Sequence, residues 1–145
     1  MKPIVTWVLV ANTQKASVLE NRGPGKGLAA LSDMDFQSDK AELPRDKAGV
    51  GHSIAGHGAA AVEQSNPQEK IDALFAHEVV GHLSRALSKH KFDRLIVAAG
   101  PHMLGLLREE YDELLKAVLA GEIDKDLSNQ TADAVASHVD KIIAT

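Results

Sequence analysis

Phe92-Asp93-Arg94-Leu95-Ile96-Val97-Ala98-Ala99-Gly100-Pro101 is the stretch that decides the fold. Leu95 to Ala99 is an unbroken apolar run between polar turns. A strand covered on one face alternates apolar and polar residues, whereas a run without alternation needs cover on both faces. That is the environment of a strand paired in parallel inside an α/β sheet. Gly100-Pro101 ends the run and starts a helix, because proline's fixed φ suits the first helical turn. Leu104, Leu107 and Tyr111 then follow at helical spacing.

Upstream, a helix start carries several signals at once. Asn66 can cap, Pro67 fits the first helical position and Glu69 can close a capping box. Ile71, Leu74, Phe75, Val79, Leu83 and Leu87 recur at helical spacing, and Lys89, His90 and Lys91 suit the helix's C-terminal end. Further back, residues 4–11 are almost continuously apolar, as in a central strand. Asn12-Thr13-Gln14 supplies a turn, Ala16 to Glu20 returns, and the glycine-rich turn Asn21 to Gly27 leads to a third strand over Leu28 to Asp35. Three strands joined by short turns predict an antiparallel meander. Downstream, Leu114, Leu115, Val118 and Leu119 continue the preceding helix in register, while the run Val118 to Ile123 also permits a fifth strand. Thr131 to Ile143 closes the chain as a helix with Val135, Val139 and Ile142 on one face.

The chain has 145 residues, the size of one domain, with no internal repeat or linker. A domain of this length buries roughly 68–70 % of its unfolded surface, enough for a core without staples. Cysteine is absent, which removes disulfides, thiolate nucleophiles and cysteine-ligated zinc. Aromatics are only 3 %, too few for a stacking platform on single-stranded nucleic acid. A formal net charge of −4 argues against generic charge-driven binding to nucleic acid or anionic membrane, while leaving room for a local basic patch. Lys2 ahead of the apolar run has the outline of a secretory signal, but the run is at the short limit and no small-residue cleavage site follows. A buried strand accounts for it better. No other stretch approaches a membrane span, and the expected location is cytoplasmic.

Between Phe36 and Asn66 the periodicity disappears. The stretch is first charged, then rich in Gly and Ala across Ala48 to Ala59, with few large apolar residues. Loops beyond about 12–15 residues are usually functional or disordered, so this one is expected to be mobile and to meet the partner. Arg45, Lys47, His52 and His57 give it donors for phosphate or carboxylate, with Gly56 and Gly58 beside the histidines.

Several chemical motifs weaken on inspection. His77-Glu78-Val79-Val80-Gly81-His82 suggests a zinc protease, but a spacing of five turns the second ring about 140° away around a helix. Surface histidines are the plainer reading. Gly51 to Gly58 lacks the Gly-Lys-Ser/Thr of a phosphate loop and follows no strand. His52 and His57 make half a metal site at most. Glu122, Asp124 and Asp126 form a carboxylate cluster of the sort that holds magnesium in ribonuclease-H-like enzymes, although such a run is more often a solvated turn. Ser17, Ser53 and Ser88 have no nucleophile-elbow context.

Three blocks agree with one family. Trp7 to Asn12 followed by Lys15 to Glu20, Phe92 to Pro101 followed by Leu104-Gly105-Leu106-Leu107-Arg108, and Glu122 to Ser128 resemble the bacterial host-attachment proteins. That family is similar in fold to the central domain of eukaryotic and archaeal peptide-chain release factors and their ribosome-rescue relatives. The resemblance implies an α/β domain with a mixed five-stranded sheet, a meander followed by alternating helices and strands, of ribonuclease-H-like type. It also implies a helix break near Lys116 and a strand at about 117–123. In the release factors the loop after the third strand carries a Gly-Gly-Gln tripeptide that hydrolyses peptidyl-tRNA. The matching loop here has none, and its nearest glutamine, Gln64, follows Val62-Glu63.

The resulting expectation is a non-catalytic cytoplasmic binding module of release-factor-like fold acting at the ribosome or on tRNA, with no cofactor and no metal. Its candidate contact residues are Arg45, Lys47, His52, Gly56, His57, Gly58 and Arg108. The alternatives are an attachment-related or regulatory protein-interaction domain that never touches RNA, and a metal-dependent hydrolase using His52, His57 or the carboxylates near Asp124.

Overall fold

The computed structural model describes residues 3–38, 67–143 and 145. In chain order its elements are β1 (Thr6–Ala11), β2 (Lys15–Asn21), β3 (Ala29–Gln37), α1 (Pro67–Ser88), β4 (Arg94–Ala99), α2 (Pro101–Glu110), α3 (Glu113–Val118), β5 (Leu119–Ile123) and α4 (Ala132–Val139). The strands form one sheet in the order β3-β2-β1-β4-β5. β2 runs antiparallel to both β1 and β3, whereas β4 is parallel to β1 and β5 parallel to β4. The meander followed by alternating helices and strands is therefore the architecture observed.

The unbroken apolar runs of β1 and β4 are explained by cover on both faces. Trp7, Leu9 and Ala11 of β1 and Leu95, Val97 and Ala99 of β4 point into one core with Phe75, Val79 and Leu83 of α1 and Leu104 and Leu107 of α2. The alternate residues Val8, Val10, Ile96 and Ala98 meet Leu127, Val135 and Val139 on the opposite face. Each fully buried aliphatic side chain contributes about 1.5–3 kcal/mol, so these central strands anchor both layers. Their starts are clamped together: the Val5 amide donates to the Asp93 carboxylate at 2.8 Å, and Arg94 Nε donates to the Thr6 hydroxyl at 3.0 Å.

Several boundaries differ from those read in the sequence. β3 runs on through Phe36 and Gln37, because their residues pair with Ala16 and Lys15 of β2. The helix after β4 breaks twice. Tyr111 is extended, Asp112 caps a new helix by accepting the Leu115 amide at 2.8 Å, and Leu119 then turns into β5. The last helix is shorter than expected, and Ile142 and Ile143 pack from the turn after it.

α1 closes in a Schellman motif. The Lys91 amide donates to Ala86 O and the His90 amide to Leu87 O, with His90 in the left-handed region at φ 58°.

Candidate functional site

The carboxyl ends of the parallel strands share one edge, since Ala11 lies opposite Ala99 and Ala98 opposite Ile123. Ligands of open α/β sheets bind outside such an edge. Both described ends of the chain that flank residues 39–66 sit here. Ser38 follows β3 and donates its amide to Gln14 O, in the turn after β1, at 2.9 Å. Pro67 opens α1, whose second turn lies against the start of α2, where His102 Nε2 is 3.2 Å from Asp72 Oδ2.

Asn12 organises the β1 side of this edge. Its side-chain oxygen accepts the Gln14 and Lys15 amides at 2.8 and 2.9 Å, which fixes the turn. Its side-chain nitrogen reaches Asp126 and Ser128 at 3.2 and 3.0 Å, and Lys15 Nζ reaches Asn129 at 2.6 Å. Burial pushes the Asp126 carboxyl up, but the Ser128 hydroxyl and amide, the Asn12 amide and the Lys15 charge outweigh it and hold the group below its ordinary value.

The β4 side holds a buried carboxylate. The Asp72 side chain is 6 % exposed and accepts from Gln68 at 3.1 Å, with the exposed His102 ring beside it. α2 starts at Gly100, which offers no side-chain cap, and its first turn carries no acidic residue. The edge thus combines a positioned imidazole, uncapped helix amides and an amide–carboxylate network, all suited to hydrogen-bonding a polar partner. Beside Ser38, a shallow groove is lined by Ile71, Leu74, Phe75 and Glu78, with Leu74 56 % exposed.

Arg108, in the last turn of α2, reaches the carboxyl end of β5. Its Nε and Nη2 donate to Glu122 Oε1 at 3.0 and 2.6 Å, tying the helix to β5. The hydrogen bond and charge of Glu122 raise the guanidinium's pKa further. Arg108 is therefore engaged within the fold, with more than half of its side chain still exposed. Arg45, Lys47, His52, Gly56, His57 and Gly58 lie outside the described residues.

His77 and His82 diverge as their spacing demands. His77 Nδ1 is 2.7 Å from Glu110 on α2, whereas His82 stacks on Phe36 of β3 with ring centroids 4.4 Å apart. Among the described residues, no three His, Asp or Glu side chains gather into a metal-binding group. Glu122 is taken by Arg108 and Tyr111, and Asp126 by Asn12 and Ser128. Among the described residues, no helix is long and apolar enough to cross a membrane. Asp72, His102 and the Asn12 network went unnoticed in the sequence. Asn12, which closes the first segment of the first resembling block, and Asp126 with Ser128, in the last, were the available signal.

Three comparisons bear on kinship. An uncharacterized protein of Rickettsia prowazekii (strain Madrid E) is 39 % identical over 62 residues, a match covering 41 % of each chain. The crystal structure of an archaeal translation termination factor, aRF1, superposes with a TM-score of 0.56 at 14 % identity, covering 96 % of this chain. A second archaeal protein superposes with a TM-score of 0.50, also at 14 % identity and over 96 % of this chain. The match spans only 35 % of the termination factor and 34 % of the second protein, so the likeness is one of domain fold. The profile of the family described as "Protein required for attachment to host cells" matches residues 7–139. With nearly the whole length matched, the chain belongs to the family of proteins required for attachment to host cells.

Proposed function

We propose that this chain is a non-catalytic cytoplasmic binding module of release-factor-like fold that acts at the ribosome or on tRNA. The observation that supports this most is the fold shared with the archaeal termination factor over 96 % of the chain. The placement of Ser38 and Pro67 agrees with it. Both lie at the carboxyl edge of the sheet, so residues 39–66 leave and rejoin the domain at the position where release factors carry their peptide-release loop. Because those residues contain no Gly-Gly-Gln, the proposed role is recognition rather than peptidyl-tRNA hydrolysis. Arg45, Lys47, His52, Gly56, His57 and Gly58 are the proposed contacts.

Co-sedimentation with empty and stalled ribosomes at low salt tests the reading. The chain is expected to pellet with ribosomes, and a variant with residues 48–60 replaced by a short Gly/Ser linker is expected to stay in the supernatant with its Tm nearly unchanged. Failure of the unaltered chain to pellet, or to bind tRNA, counts against the proposal.

A protein-interaction domain that never touches RNA is the second reading, favoured by the exposed Leu74 at the groove beside Ser38. A pull-down that returns envelope or signalling proteins without translation components, and is lost on Leu74→Glu, supports it.

A further inference from the structure

The net charge of −4 conceals an uneven distribution. The amino edge of the sheet lies opposite the edge just described. There the β2–β3 turn carries Arg22 and Lys26, and the end of α1 carries Arg85, Lys89, His90 and Lys91, followed by Arg94 at the start of β4. No Asp or Glu occurs from Asn21 to Ala30, and Asp93 is the only one from Arg85 to Arg94. The two groups meet in space, because Arg22, His90 and Lys91 line one open depression together with Glu20 and Asp33. Five Lys and Arg residues, Arg22, Lys26, Lys89, Lys91 and Arg94, thus lie at this edge with three carboxylates, Glu20, Asp33 and Asp93, on a chain that is acidic as a whole. Arg85 turns back along α1, with Nη2 3.2 Å from His82 Nδ1.

Two of those carboxylates are already engaged. Glu20 accepts from Trp7 Nε1 at 3.0 Å and from Arg22 Nε at 2.8 Å, and Asp93 accepts the Val5 amide at 2.8 Å. The lysines, by contrast, are not needed to finish the helix. The last carbonyls of α1 are satisfied by the backbone amides of Lys89, His90 and Lys91, which leaves the exposed ammonium groups of Lys89 and Lys91 pointing to solvent.

His90 adds an independent observation. It adopts φ 58° at the position of a Schellman motif where glycine fits without strain. A side chain kept in a strained conformation is more often found at working surfaces, and this one lines the depression between the two cation groups. The nearby Trp7 and Phe92 are sealed, at 3 % and 2 % exposure, so neither offers a base a stacking platform. Exposed cations without a stacking platform suit phosphates and carry no sequence information.

We infer that this amino edge, built from Arg22, Lys26, Lys89, His90 and Lys91, docks the sugar–phosphate backbone of structured RNA. The choice of RNA over other polyanions rests on the proposed function. The surface itself is new and lies at the opposite end of the sheet from Ser38 and Pro67.

The experiment measures bulk tRNA binding by fluorescence anisotropy and ribosome co-sedimentation for the full chain, K89Q/K91Q and K116Q/K125Q. Melting curves confirm that each variant folds. K89Q/K91Q is expected to bind tRNA about tenfold more weakly, with the slope of log K against log salt shallower by about 1.5–2, as the loss of two phosphate contacts requires. K116Q/K125Q is expected to match the unaltered chain. Equal binding by K89Q/K91Q and the unaltered chain, to tRNA and to ribosomes, overturns this inference and leaves the proposed function standing. An unaltered chain that binds neither overturns both. One that binds phosphatidylglycerol vesicles in place of RNA, with binding lost in K89Q/K91Q, overturns the assignment to RNA.

Discussion

Tyr111 donates its hydroxyl to Glu122 at 3.2 Å, on the carboxylate oxygen that Arg108 leaves uncovered. The pair joins the break between α2 and α3 to strand β5. Burial, then the Glu122 charge and hydrogen bond, push the phenol's pKa well above its ordinary value. The unfolded chain ionises its tyrosine near pH 10. Above that pH the unfolded state releases a proton that the folded state still holds, so stability falls as pH rises from about 10 and is fully present below it. Tyr111 is the only tyrosine, which makes the phenolate absorbance near 295 nm unambiguous. The native chain is expected to titrate well above the denatured one, and Tyr111→Phe to lose part of the alkaline decline in stability. A native midpoint near pH 10 would show the contact to be absent in solution.

The central strands offer a test of packing. Leu95 is fully buried between β1 and the helices. Leu95→Ala is expected to cost about 2–5 kcal/mol in urea unfolding, as large-to-small core substitutions do. A change below about 0.5 kcal/mol, typical of surface sites, would remove Leu95 from the core.

These strands were legible in the sequence because burial on both faces leaves an unbroken apolar run, which Leu95 to Ala99 displays without help from distant residues. The start of α1 was legible for a similar reason, since Pro67 and Glu69 act within one turn. The double break after α2 was harder. Leu114, Leu115 and Val118 keep helical spacing through it, and only the local cap at Asp112 and the pull of Glu122 on Tyr111 end the helix. The carboxyl-edge pairings were not legible, although some of the residues that make them stood in the resembling blocks. Asn12 meets Asp126 across 114 residues and His102 meets Asp72 across 30, pairings that exist only once the sheet order is set.

The helix closure at His90 carries a stability prediction. A non-glycine residue in the left-handed region costs about 1–2 kcal/mol, offset in part by the extra freedom glycine has when unfolded. His90→Gly is therefore expected to stabilise the fold by about 0.5–1 kcal/mol. If the substitution destabilises by a similar amount, His90 makes native contacts that outweigh its backbone strain.

Gly121 of β5 sits where a side chain has no room. A β-carbon added there would lie 2.9 Å from Ile142 Cδ1 and 3.1 Å from its Cγ2. The Cδ1 methyl can swing aside by turning χ2, but Cγ2 moves only if χ1 turns or the backbone shifts, and β-branching leaves χ1 few alternatives. Gly121→Ala should therefore overpack the seam between β5 and the turn after α4, at about 1–3 kcal/mol. Trimming the opposing side chain supplies the control. In Ile142→Ala the branched methyl is gone, and adding Gly121→Ala to it is expected to cost little. A double-mutant cycle in urea unfolding reads this as a coupling of at least about 0.5 kcal/mol, the signature of residues in contact. Strictly additive effects would mean that Ile142 does not lie over Gly121, and that the chain after α4 packs on the sheet in another way.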